Sequence, residues 1–117
     1  MSEIETQNVS VELNYYVGPD DPINGVFYSR PVDPEFTSEL VVGVYTDDDD
    51  STGHPPVLAG LPLQISVAGS ARALEAMGKY LLALARINSS DPDLHEHFED
   101  VCDERGGNLH LIVRRLQ

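Results

Sequence analysis

The segment from Ala71 to Ile87 has a helical pattern, and it constrains the fold because most other regular patterns in the chain are those of strands. Ser70 precedes it and is a good N-cap, since its hydroxyl can accept a hydrogen bond from an early free amide. Apolar residues recur at helical spacing and predict one buried face, formed by Leu74, Met77, Leu81 and Leu84 or Ala85. We therefore expect one main amphipathic helix over residues 70–88.

Five other segments have the patterns of short strands. They alternate apolar and polar residues, as a half-buried strand does, or form a short continuous apolar run, as a central strand does. Asn24-Gly25 favours a tight turn, so the first two strands are expected to pair as a hairpin. The five segments are Val9 to Tyr16, Val26 to Ser29, Leu40 to Tyr45, Leu61 to Val67 (with Leu63, Ile65 and Val67 on one face) and Leu109 to Val113.

Residues 92–105 have two interpretations. As a short helix, the segment is capped by Asp91, begins at Pro92 and has an apolar stripe of Leu94, Phe98, Val101 and Cys102. As a strand, Leu94 to Val101 pairs with Leu109 to Leu116 across a turn. Periodicity favours the helix. In either case the fold class is α+β, with an antiparallel sheet of about four to six strands and the main helix packed on one face.

Length and composition indicate a single domain over residues 1–117. Residues 1–7 are polar, have no features of a signal peptide, and are expected to be flexible. Residues 46–60 are expected to form an acidic loop, with four Gly or Pro residues. Cys102 is the only cysteine, so no intramolecular disulfide can form.

No stretch approaches the ~20 apolar residues of a membrane span. We expect a cytoplasmic protein that does not enter membranes.

The charge limits the partners that this chain can bind. The chain has 20 Asp and Glu residues but only 7 Lys and Arg residues, which gives a formal net charge of -13. Nucleic acid is excluded as a partner, because duplex binding depends on cations that neutralise phosphates. A basic protein would be attracted instead. The acidity could also serve only to keep the protein soluble. A third explanation is adaptation to high salt, which the presence of a single lysine, Lys79, favours.

The leading hypothesis is a non-enzymatic binding or inhibitor protein with a basic protein partner. No catalytic motif and no cofactor-binding pattern occurs, so we expect neither an enzyme nor a cofactor. Exposed tyrosines are the candidate anchors of such an interface, and acidic side chains would steer the partner toward it. The predicted partner-binding residues are Asp47, Asp48, Asp49, Asp50, Asp20, Asp21, Glu39, Tyr15, Tyr16 and Tyr45.

A metal-binding protein or metal-dependent enzyme is the alternative hypothesis. The aspartate run does not fit an EF-hand loop, because Ala59 stands where the bidentate glutamate is required. His95, His97, Glu99 and His110 are the candidate transition-metal ligands. If the segment is a strand, alternate residues share a face and could converge with His110 on a paired strand. In a helix, His95 and His97 would point in different directions and could not hold one ion.

The chain from Ile65 to Met77, the His95-Glu96-His97-Phe98 segment and the closing stretch from Leu109 to Arg114 resemble small immunity proteins of bacterial polymorphic-toxin loci. The resemblance covers the C-terminal half only. It implies a mainly β domain with one helix that neutralises a cognate toxin by binding it and catalyses no reaction. It also favours the strand interpretation of Leu94 to Val101. It carries over no set of functional residues.

Overall fold

The computed structural model describes residues 3–46 and 63–116, and for Tyr45, Thr46 and Leu63 it describes the backbone only. The predicted acidic loop at 47–60, with Asp47 to Asp50, therefore lies outside the described residues, as do residues 61 and 62. The fold is α+β with one main helix, as predicted. Its elements are β1 (Tyr15–Tyr16), a 3-10 turn (Pro22–Asn24), β2 (Arg30–Pro31), β3 (Leu40–Thr46), β4 (Leu63–Gly69), α1 (Ala71–Arg86), β5 (His95–Asp103) and β6 (Asn108–Arg114).

The main sheet has four strands in the order β4-β3-β5-β6. Two antiparallel hairpins, β3–β4 and β5–β6, are joined by a short parallel contact that runs from Leu40 opposite Val101 to Val42 opposite Asp103. The prediction of a wholly antiparallel sheet is wrong at this contact. A parallel pair needs a long crossover connection, and the segment that contains β4 and α1 provides it.

The predicted short helix over residues 92–105 is wrong, because most of this segment is strand β5. The register of β5 against β6 shifts between Phe98 and Val101, where β5 carries one extra residue. The bulge allows Phe98 and Val101 to enter the core although they are three residues apart. Leu94 is also buried. The resulting spacing of apolar residues imitates a helical period.

Helix α1 begins as predicted. The Ser70 hydroxyl accepts a hydrogen bond of 3.1 Å from the Ala73 amide. The predicted apolar face is only partly correct: Leu84 is buried and Met77 is half-buried, but Leu74, Leu81 and Ala85 are exposed. The buried face is centred on Ala73, Tyr80 and Leu84, with Ala83 beside them. Small alanines let the helix approach the sheet closely, and Tyr80 fills the space that the leucines were expected to fill.

An aromatic cluster lies at the centre of the core. The Phe98 ring makes edge-to-face contacts with Phe36 and Tyr80, at centroid distances of 5.4 Å and 5.0 Å. Phe36 is fully buried, and its amide donates a 2.9 Å hydrogen bond to the carboxylate of Asp100 in the bulge. Edge-to-face contacts between aromatic rings contribute about 0.5–1.5 kcal/mol each, in addition to the effect of the area that the rings bury. They join β5, α1 and the segment before β3. Leu40, Val42, Leu94 and Val101 complete the core.

The N-terminal half has less regular structure than its pattern predicts. Of the predicted strand from Val9 to Tyr16, only Tyr15 and Tyr16 pair, and their partners are Arg30 and Pro31 in place of residues 26–29. Val9 and Val11 are exposed, so no buried face stabilises a longer strand. The predicted Asn24-Gly25 turn is present, with Gly25 in the left-handed region that glycine tolerates best.

The β3–β4 hairpin extends beyond helix α1. Ile65 and Val67 do lie on one face of β4, as predicted, but they are 69% and 54% exposed. Val44, which pairs with Ile65, is also exposed. This end of the sheet carries an apolar surface that no described residue covers.

We predict that Ser70→Ala lowers the free energy of unfolding by about 0.5–2 kcal/mol, because it leaves the Ala73 amide without its partner. Urea denaturation measures the change. Ser70→Thr, which keeps a hydroxyl, is the control and should lose less stability. Equal stability of the Ser70→Ala variant and the unmodified protein would contradict the capping role.

Candidate functional site

Three histidines form a row on the face of the sheet opposite helix α1. Strand β5 directs His95 and His97 to this face, while Phe98 points into the core. His110 on β6 lies diagonally across from His97, which pairs directly with Ile112. The His97 Nδ1 atom is 3.0 Å from the His110 Nε2 atom. The His95 and His97 rings are 4.9 Å apart. We call these three residues the histidine row.

The histidine row includes three of the four predicted metal ligands, but the geometry joins only two of them. The Nδ1 atom of His95 lies 2.7 Å from the Asp93 carbonyl oxygen, and the His95 ring contacts the His97 ring without a hydrogen bond to it. Glu99 lies in the bulge, and no hydrogen bond or ion pair joins it to a histidine. Within residues 3–46 and 63–116, no group of three His, Cys, Asp or Glu side chains could hold a metal ion. The predicted four-residue constellation is therefore not assembled.

A second polar group lies on the helix side of the sheet, where β5 meets β2. Arg30 Nη1 is 2.9 Å from an Asp33 carboxylate oxygen and 3.4 Å from Glu96. The Arg30 guanidinium also lies 4.8 Å from the centre of the Tyr16 ring, a cation–π distance. Burial and, after it, the nearby Asp33 carboxylate raise the pKa of Glu96, and the cation of Arg30 offsets only part of this. Glu96 therefore holds its proton to a higher pH than an ordinary glutamate does.

A half-open cavity of about 200 Å³ lies beside this group, between α1 and the segment after β2. Tyr80 is almost fully buried in its wall. Burial, together with the negative charges of Glu96 and Asp33, raises the pKa of Tyr80 far above its ordinary value. The hydroxyl therefore stays protonated and can donate a hydrogen bond. The remaining lining residues are Asn14, Val32, Pro34, Ala76, Lys79 and Ala83.

The predicted partner-binding acids that the structure describes also have local roles. The Asp20 carboxylate accepts hydrogen bonds from the amides of Tyr28 and Ser29, and Asp21 accepts one from the Asn24 side chain. Hydrogen bonds to Glu39 from the hydroxyls of Thr37 and then Ser70 lower its pKa. These acids therefore stabilise the local structure through their hydrogen bonds.

The predicted tyrosine anchors differ in exposure. Tyr16 is 46% exposed and contacts Arg30, while Tyr15 is half-buried. The side chain of Tyr45 lies outside the described residues. Tyr16 is therefore the better-placed anchor of the two that the structure describes.

Sequence reasoning missed the group of Arg30, Asp33, Glu96 and Tyr80. Glu96 is 66 residues from Arg30, and no local motif connects them. The spacing of Arg30 and Asp33, three residues apart, was the only local signal of an ion pair. Glu96 could be placed on the helix side of the sheet only after Phe98 was known to point inward.

Comparisons with known proteins identify no relative of this chain: no protein-family model, no curated protein and no solved structure matches it. Helix α1 does not have the length and apolar character that a membrane-crossing helix requires, and it is the main helix of the described residues.

We predict that Glu96→Gln makes the protein relatively more stable as the pH rises. The pKa of Glu96 is raised in the folded state, so its stabilising effect is complete below the unfolded value near 4.5 and is lost as the pH rises through the folded value. The difference in the free energy of unfolding between the Gln variant and the unmodified protein should therefore increase from pH 4 to pH 7. Denaturant titrations across this range measure it.

Glu99→Gln is the matched control, because it removes the same charge from an exposed position on the same strand. It should show a smaller pH-dependent difference. If the Glu96→Gln variant instead becomes relatively less stable at neutral pH, the ion pair with Arg30 outweighs burial and the charge of Asp33.

Proposed function

We propose that this chain is a non-enzymatic acidic binding protein that neutralises a basic protein partner, as an immunity protein neutralises its toxin. The net charge of -13 supports a partner with a net positive charge. A partner of opposite charge would associate faster, because the field of the whole protein steers it during encounter.

The observation that supports this proposal is that several arginine side chains interact with groups of the same molecule. Arg30 pairs with Asp33 and Glu96, and Arg114 pairs with Asp93. Arg115 donates to the carbonyl oxygens of Leu84 and Ile87 at the end of α1, which satisfies acceptors that a helix end leaves free. Three of the seven cations are thus engaged within the molecule, and the 20 acids far outnumber those that remain.

The charges also differ between the two sides of the domain. Helix α1 carries Arg72, Lys79 and Arg86 but only one acid, Glu75. Strand β5 and its flanks carry most of the acids of the C-terminal half, and Asp93, Glu99, Asp100 and Glu104 are exposed. A basic partner would therefore be attracted to the sheet side of the domain and away from the exposed face of α1. The Asp47 to Asp50 run adds four negative charges to the total.

We predict that replacing Asp47, Asp48, Asp49 and Asp50 with Asn lowers the association rate roughly tenfold at low ionic strength. The substitution keeps side-chain size and removes four charges. The difference should shrink as salt shortens the Debye length to about 8 Å near physiological conditions. Dissociation should change much less. Stopped-flow measurements with a basic protein encoded beside this chain's gene test the effect.

The matched control changes the charge in the other direction, at helix α1. Replacing Arg72 and Arg86 with Gln removes two exposed cations from α1 and makes the net charge more negative. Association should then be as fast as that of the unmodified protein, or faster. If the Asn variant associates at the unmodified rate in low salt, and molar KCl raises the protein's stability, the acidity serves adaptation to salt and the binding proposal fails.

A further inference from the structure

The two closest imidazoles of the histidine row have a geometry that also suits a shared cation. The 3.0 Å between His97 Nδ1 and His110 Nε2 fits a hydrogen bond in which one nitrogen donates to the other. Bonds from imidazole nitrogen to such metal ions are about 2 Å long, so two bonds at the right angle of a tetragonal Cu²⁺ site place the nitrogens about 3 Å apart. A metal ion could therefore replace the shared proton after small movements of the rings.

The surroundings of the pair favour an exchangeable ion. Both side chains are exposed on the open face of the sheet, so water can fill the other coordination positions. The hairpin fixes the two ligands from neighbouring strands, which reduces the conformational entropy lost on binding. The net charge of -13 raises the local concentration of cations.

We propose that His97 and His110 form a two-histidine site for a divalent transition-metal ion. The protein ligands are His97 Nδ1 and His110 Nε2, and solvent occupies the remaining positions. His95 is not included as a third ligand, because no three His, Cys, Asp or Glu side chains of the described residues are placed to hold one ion. Imidazole sites bind Cu²⁺ more tightly than Ni²⁺ or Zn²⁺, so copper is the most sensitive probe. This site is independent of the proposed binding of a basic partner.

Calorimetric titration of the full chain with CuCl₂ tests the proposal. We expect one Cu²⁺ per chain, and at least tenfold weaker binding after His97→Asn or His110→Asn. His95→Asn is the matched control, since it removes an imidazole from the same face of the same strand, and it should bind within about twofold of the unmodified protein. His54→Asn controls for the fourth histidine of the chain.

A spectroscopic measurement keeps the test independent of folding. In the unmodified protein, substoichiometric Cu²⁺ should broaden the imidazole NMR signals of His97 and His110 first. The far-UV circular dichroism of each variant should match that of the unmodified protein. The proposal is overturned if the chain binds no stoichiometric copper, if either single variant binds as tightly as the unmodified protein, or if His95→Asn weakens binding as strongly as His97→Asn.

Discussion

The insertion of Phe98 between Phe36 and Tyr80 is the contact on which the rest of the structure depends. It joins strand β5, helix α1 and the segment that leads into β3, which are far apart in the sequence. The backbone contact between the two hairpins is short, since β3 and β5 pair only from Leu40 to Val42. The buried aromatic rings therefore add to the short backbone contact in holding the hairpins together.

The direction in which Phe98 points also determines on which face of the sheet each of the two polar groups lies. Because successive strand residues point to opposite faces, an inward Phe98 places His97 on the open face. Glu96 shares the helix side with Phe98 and reaches Arg30 and Asp33 there, at the edge of the core. The histidine row and the half-buried carboxyl group of Glu96 are thus two consequences of one strand orientation.

Local patterns predicted the elements that local interactions stabilise. Ser70 and the helix after it, the apolar run of β3 and the Asn24-Gly25 turn were predicted correctly because their signals lie within a few residues. For residues 92–105 the sequence left two interpretations, and the strand is confirmed; periodicity favoured the helix because the bulge gives Phe98 and Val101 a helix-like spacing. The packing of Tyr80 and the approach of Glu96 to Arg30 depend on distant residues, so they could not be derived from the sequence. The histidine pair was predictable only as a consequence of the strand interpretation.

Cross-strand nuclear Overhauser effects test the central claim most directly, because they report the register of β5 independently of any partner or metal. The account predicts backbone contacts between His97 and Ile112, between Phe98 and Leu111, and between Leu40 and Val101. It also predicts side-chain contacts from Phe98 to Phe36 and Tyr80. Sequential amide–amide contacts with a helical pattern over residues 92–105, without these cross-strand contacts, would contradict it.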